Sequence, residues 1–351
     1  MALFRKHLTS LQTGFSDLKR QAQEQSELLI GTPGSVTRRI VSGRPFYYRQ
    51  YYDVNGTKSA DYVGPADTDE GERAAAAMRE RIEVANALLL QARALVRAGY
   101  VRTDAKTDAV LVALANNGLF RAGGVLVGSH AYGALLNDLG VLASSHATED
   151  VDFARDRALR LEGGKSFAEM LADSKLKLHE VPQLDRKKPS TSFKPPGADR
   201  LRIDLLVPTE GDEVKVLEVR DLKGHAMGMP FLRYLLQDPV ATIVIGRSAI
   251  IPVNVPRPER LAWHKMLVSE LRNRESDKKT KDLEQAAVLV AVLADAEPGA
   301  LEDAFRALPR KTKNAVSLGA AKVRSMLAAR GHTRAAELLG ELVPQLERRA
   351  K

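Results

Sequence analysis

Gly123-Gly124-Val125-Leu126-Val127-Gly128-Ser129-His130-Ala131-Tyr132-Gly133, followed after a gap by Thr148-Glu149-Asp150-Val151-Asp152-Phe153, joins a short apolar run to a Gly-Ser turn and an Asp-x-Asp pair. Val125 to Val127 have the length of a short buried strand, and Ser129 to Leu139 read as a helix. A strand entering a Gly-Ser turn at a helix N-terminus presents free N–H groups and the positive end of the helix dipole, which suits phosphate. Alone, Gly128-Ser129 also fits a plain strand–helix turn with Ser129 as N-cap. Gly123 to Gly128 matches the glycine half of a P-loop. Ser129-His130 stands where Lys and Ser/Thr are needed, so a P-loop is excluded.

Working outward, Asp150 and Asp152 lie two apart in a strand pattern. They therefore point to one side, while Val151 and Phe153 point into the core. Two carboxylates on one face repel unless a divalent cation lies between them, and Mg²⁺ carried in with a nucleoside triphosphate is their natural ligand. A solvated Asp-x-Asp loop is the plainer alternative. Leu201, Ile203, Leu205 and Val207 form the apolar face of another strand, with Asp204 on the opposite face. Asp204 is either an edge-strand carboxylate facing water or a third ligand on a strand adjacent to Asp152. Three carboxylates of this kind can surround two metal ions, an arrangement that stabilises attacking and leaving oxygens in phosphoryl transfer.

Gly-Ser, then Asp-x-Asp, then a later strand aspartate resembles the nucleotidyltransferase superfamily with a polymerase-β-like fold. The string Gly128-Ser129…Thr148-Glu149-Asp150-Val151-Asp152-Phe153 is most similar to its bacterial branch of AbiEii-type and MenT-type toxins. The resemblance covers about residues 121–290. It implies an α+β fold, with a polymerase-β-like nucleotidyltransferase core built on a mixed sheet. It also implies transfer of a nucleoside monophosphate from an NTP to an acceptor hydroxyl, with release of pyrophosphate and two Mg²⁺ ions (Mn²⁺ as a substitute). On the matching positions, Gly128 and Ser129 would hold the β- and γ-phosphates. Asp150, Asp152 and Asp204 would bind metal, with Asp204 also helping to deprotonate the acceptor. In the toxin branch a helix lysine is followed by a Lys-Asp that opens the next helix. Here Trp263-His264-Lys265-Met266 precedes Lys281-Asp282-Leu283-Glu284. Lys265 would then contact the triphosphate, and Asp282 would orient that lysine or the acceptor; Asp282 also fits a simple N-terminal helix carboxylate. Arg272, Arg274, Lys278 and Lys279 lie between them, either guiding a polyanion or coating a solvated turn. The interval from Ser129 to Asp150 is longer than in minimal members of the superfamily, and Gly140 to Ala147 reads as a helix–strand loop. His130 and His264 read as partly buried helix histidines rather than ligands.

The rest of the chain supplies context. Its 351 residues suggest one large domain or two to three modules. The layout expected is an N-terminal helix and β-hairpin over 1–64, a helical segment over 65–120, the catalytic core over 121–255 and a basic helical domain over 256–351. Residues 2–29 have helical spacing. Arg44 to Val63, with five of the eight tyrosines and the turn signal Asn55-Gly56, reads as a hairpin. Its aromatics either stack on bases or pack on a neighbouring helix. Helices are expected at Thr68–Ala98, Asp104–Ala115 (capped by Thr103), Arg257–Asn273, Lys281–Ala294, Ala300–Leu308, Lys311–Ala329 and Thr333–Arg348. Further strands are expected at Leu201–Val207, Val214–Val219 and Val240–Ile245, with an exposed basic loop over Leu184–Arg200.

The absence of cysteine excludes thiol nucleophiles, Cys-ligated zinc and iron–sulfur clusters. The charge of +9 suggests a polyanionic partner, and residues 310–351 hold ten basic against three acidic side chains. With the resemblance to toxins, this points to tRNA or another RNA as acceptor and to an antitoxin protein as partner. A small-molecule or protein hydroxyl as acceptor, and a non-catalytic nucleic-acid-binding regulator on the same scaffold, are the alternatives. No apolar run is long enough for a membrane helix and no signal peptide is evident, so a cytoplasmic protein without membrane association is expected.

Overall fold

The computed structural model describes residues 2–144, 149–161, 163–272 and 277–343. His146, Thr148, Asn273, Arg274 and the basic C-terminal stretch 344–351 lie outside these residues.

The chain opens with β1 (Phe4–Lys6) and α1 (Thr9–Gln23), then β2 (Ser35–Val41), β3 (Arg44–Tyr52), β4 (Lys58–Pro65), α2 (Asp69–Arg97) and α3 (Ala105–Asn116). The central run is β5 (Val125–Val127), α4 (Gly128–Asp138), β6 (Val141–Ala143), β7 (Asp150–Ala154), α5 (Phe167–Ala172), β8 (His179–Glu180), β9 (Ser192–Lys194) and β10 (Arg202–Pro208). It continues through β11 (Lys215–Val219), β12 (Gly224–Met229), α6 (Leu232–Leu235), β13 (Val240–Ile245) and β14 (Ile250–Val255). The helices α7 (Pro258–Leu271), α8 (Asp277–Ala296), α9 (Pro298–Arg306), α10 (Lys313–Ala329) and α11 (Thr333–Leu342) close the described chain.

The fold is α+β around a mixed sheet ordered β11-β12-β10-β7-β5, with β9 and β8 added beside β10. β10 runs parallel to β7 and β12, whereas β5 is antiparallel to β7. Val151, Phe153, Ile203 and Leu205 are buried on one face of this sheet, so their alternating partners are displayed on the other. One apolar core runs from Leu3 to Leu339 and joins the sheet to α7, α8 and α10. Trp263, fully buried, donates its Nε1–H to the Leu301 carbonyl at 2.9 Å, satisfying the indole's only polar group. A second, smaller core locks α1 and α2 onto the β13–β14 hairpin through Leu18, Leu88, Leu95, Ile243 and Ile250. Among the described residues no helix is long and apolar enough to cross a membrane.

Several elements depart from the sequence reading. Phe4–Lys6 is a strand, paired antiparallel with Val141–Ala143, so the expected first helix begins only at Thr9 and the expected 140–147 loop begins as a strand. Pairing with a distant partner overrides a local spacing that fits a helix. Asp104, rather than Thr103, caps α3 by accepting from the N–H groups of Lys106 and Thr107. Thr103 instead donates to Asp108 at 2.5 Å. The 184–200 segment is not wholly exposed, because β9 pairs with β10 inside it and buries Thr191 and Ser192. The tyrosine hairpin gains a third strand, β2. Tyr51 is buried, and the half-buried Tyr47 donates its hydroxyl to Glu72 of α2 at 2.6 Å. Tyr62 stays more than half exposed, meeting the Phe46 ring at a tilt and the Tyr48 ring edge-on.

Candidate active site

The register of the sheet builds the site. β7 and β10 are parallel, with Asp152 opposite Asp204 and Asp150 opposite Arg202. Because residues two apart share a face, all three aspartates and Arg202 lie on one side of the sheet. On the other flank Val127 of β5 pairs with Asp152, and the chain turns at once through Gly128 into α4. Gly128 has φ +71, a conformation that favours glycine. A Cβ there would collide with the Asp152 carboxylate. Gly128 is therefore required both by the turn and by the approach of the carboxylate. The helix starts at Gly128 itself with Val127 as N-cap, so Ser129 lies in the first turn, among the free N–H groups, and is not the cap.

Burial pushes the Asp152 carboxyl up to about 7; the charges of Asp204 and Asp150 push the same way, and Lys278 and Lys265 oppose them. Asp204 is held by two donors on one oxygen. Ser192 Oγ donates to Oδ1, and Arg202 Nε reaches the same oxygen at 2.9 Å. Arg202 also donates to Ser192 Oγ at 2.8 Å, closing a triangle. Asp150 is met by Lys278 Nζ at 3.2 Å. Among the described residues no three Asp, Glu or His side chains form a ready metal cluster. Each outer carboxylate is turned toward a cation of the protein instead.

α7 and α8 supply the opposing charge. Lys265 is buried, and its Nζ lies 3.0 Å from Asp282 Oδ1. Arg272 Nη2 takes the other oxygen of Asp282 at 3.0 Å. The expected Lys265–Asp282 contact is thus present as a buried ion pair. Lys281, whose ammonium is held below the usual lysine range by burial and by Lys265, is opposed in this by the charges of Asp282 and Asp150. Lys279 is drawn away to Glu270 at 3.8 Å. His130 and His264 are pushed down to about 4 by burial, and the Nε2 of each is buried without a partner. Both are neutral side chains near neutral pH.

The structure therefore brings Gly128, Asp150, Asp152 and Asp204 together, with the Lys265–Asp282 pair within electrostatic reach. Sequence reasoning missed Ser192 and Arg202 as partners of Asp204. Only the β9–β10 register, with Ser192 opposite Asp204, reveals the first. Lys281 had a signal in its spacing, since it follows Lys278 by three residues and shares its helix face.

No curated protein and no solved structure matches this chain. Residues 105–309 match the profile of a family described as Nucleotidyltransferase. The matched stretch contains Gly128, all three aspartates and the Lys265–Asp282 pair. It is more than half of the chain, and the chain belongs to that family: it is a nucleotidyltransferase, an enzyme acting on a nucleoside triphosphate.

Proposed function

We propose that the enzyme moves a nucleoside monophosphate to an acceptor hydroxyl and releases pyrophosphate, using divalent cations held by Asp150 and Asp152 with Asp204. The observation that carries this reading is the cross-strand pair of Asp152 and Asp204 beside the Gly128 turn. The donor set fits such ions. It consists of hard carboxylate oxygens; burial first, and then the neighbouring charges of Asp204 and Asp150, raise the Asp152 carboxyl, and a divalent cation would offset both effects. Mg²⁺ or Mn²⁺, when bound, would neutralise charge on the triphosphate and polarise the reacting phosphate.

The chain's own residues do the rest. The N–H groups at the start of α4, from Gly128 and Ser129, hold the β- and γ-phosphates. The cations of Lys265, Lys278 and Lys281 face the charge that builds on the leaving pyrophosphate. Asp282 orients Lys265. Ser192 and Arg202 fix Asp204 through Oδ1, and Oδ2 accepts the proton of the attacking hydroxyl. The core of residues 121–255 is of polymerase-β type, flanked by the N-terminal 1–64 and 65–120 regions and the 256–351 helical domain, and belongs to the AbiEii/MenT-like toxin branch. The acceptor is RNA, with tRNA first, which the excess of basic side chains over 310–351 supports. An antitoxin protein is the corresponding partner.

The test is incubation with each α-labelled NTP and Mg²⁺ in the presence of total RNA, a protein pool and a small-metabolite pool. Label is expected on RNA. Label confined to protein or to metabolites would replace RNA as acceptor, and absence of pyrophosphate release in every pool would overturn the transfer reading.

A further inference from the structure

A pocket of about 200 Å³ opens where the C-terminal part of α2 meets the β13–β14 hairpin. Leu89, Ala92, Val96 and Ile245 give it an apolar lining, and four arginines join them: Arg93, Arg97, Arg102 and Arg247. No carboxylate lines it, and none of the four guanidinium groups has an ion-pair partner among the described residues. Other arginines are matched, as Arg49 is to Asp61 and Arg272 to Asp282.

Such a gathering needs a reason, because like charges repel. Arg93 and Arg97 are four apart on one helix face, a spacing that destabilises a helix when both charges agree. The dipole at the end of α2 accounts for Arg97 alone, which lies in the last turn. Arg102 and Arg247 come from separate segments that are fixed in place. Thr103 N–H donates to the Ile245 carbonyl at 3.0 Å. The buried Asp108 accepts from the N–H of Arg247 at 2.5 Å and of Ser248 at 3.2 Å. Gly246, between Ile245 and the turn, has no room for a side chain, since a Cβ would lie 2.7 Å from Asp108. The backbone that aims two of the four arginines is therefore preorganised rather than loose.

We propose that this pocket is a second phosphate-binding site, taking one nucleotide unit, either a free nucleotide or one unit of a single strand. Guanidinium groups bind phosphate oxygens bidentately, and an apolar lining accepts the face of a sugar or base. The volume is below the roughly 300–1,000 Å³ of pockets for drug-sized ligands, which limits the occupant to about one unit. The pocket shares no lining residue with the aspartate cluster, so the proposal stands apart from the transfer reading.

The test uses the full chain in the presence of a chelator, with ADP and a dodecamer of oligouridylate as the two probes. Arg93→Gln/Arg97→Gln and Arg102→Gln/Arg247→Gln remove exposed charges, and thermal unfolding checks that each remains folded. Lys187→Gln/Lys188→Gln, in an exposed loop, removes the same charge elsewhere. Each arginine pair should weaken one probe by about tenfold or more, and the loop pair by less than about threefold. Loss for the oligonucleotide alone assigns the site to a strand, and loss for ADP to a free nucleotide; either supports the proposal. Equal losses in the arginine and lysine variants, unchanged binding of both probes, or no binding of either probe to the wild type would overturn it. Loss of pyrophosphate release in the aspartate variants with arginine-dependent binding retained separates this proposal from the catalytic one.

Discussion

Asp152 and Gly128 are the two residues on which the site turns, and each constrains the other. The carboxylate occupies the space a side chain at 128 would need. Gly128→Ala should therefore damage both turn and site. The positive φ alone costs about 1–2 kcal/mol, and displacement of Asp152 should lower transfer by at least about tenfold. Denaturant unfolding and initial rates on the same preparation measure the two effects, and wild-type values in both would contradict the placement. Lys265 and Asp282 make a second coupled unit, with side-chain exposures of only 5% and 9%. Asp282→Asn leaves the lysine buried with its charge unmatched and should cost about 3–5 kcal/mol, whereas Lys265→Met/Asp282→Leu should recover most of that stability. The double variant should nevertheless be inactive; full activity would reduce the pair to a structural role. At this scale the sequence is readable where spacing carries the information. Asp150 and Asp152 share a face because strands have a period of two. Asp204 needed only the same rule applied to Leu201 through Val207. Ser192 carried no such mark, since its place depends on which strand pairs with which.

Among elements, the clearest agreement lies in those with strong local signals. Val125–Val127 and Val240–Ile245 are strands as read, and Thr68 caps α2 by accepting from the Gly71 N–H at 3.1 Å. Ser35–Val41 and Ile250–Val255 are strands that the sequence reading lacks, and others have an identity set by their partners. β12 is Gly-His-Ala-Met-Gly-Met, a poor strand sequence alone, and is held between β10 and β11. β1 and β6 hold each other. The β13–β14 hairpin shows how a single side chain can fix an element. Asp108 of α3 accepts from the backbone at Arg247 and Ser248 and from Thr103, and burial raises its carboxyl to about 6, with a smaller push from Asp104. The folded state therefore holds this proton more tightly than the unfolded chain does. Stability from this group is fully present below about pH 4 and is lost as pH rises toward 6 and beyond. Relative to Asp108→Asn, the wild type should lose on the order of 2–3 kcal/mol across that window. Denaturant unfolding of both proteins from pH 4 to 7 checks the sign, and a difference that is flat or grows in favour of the wild type would refute it.

For the molecule as a whole, the continuous core from Leu3 to Leu339 explains why helices far apart in sequence meet at one place. α7 and α8 belong to the same core as β7 and β10. Lys278 of α8 therefore reaches Asp150, and the charges of Lys265 and Lys278 act on Asp152. That convergence was only partly readable in the sequence, because periodicity identifies a buried face but not its neighbour. Charge is distributed in three places: the cations beside the aspartates, the arginine pocket between α2 and β13–β14, and the basic residues after 310. In the proposed transfer the first would serve the triphosphate, and the arginine pocket would take the second phosphate-bearing ligand proposed above. The proposed transfer depends above all on Asp152, paired across the strands with Asp204. It is tested most directly by pyrophosphate release from labelled NTP by wild type and Asp152→Asn, with matched unfolding curves. A metal-dependent rate is expected for the wild type, lowered by at least about 10²-fold in the variant, with the fold retained. A folded Asp152→Asn protein that releases pyrophosphate at the wild-type rate would contradict it.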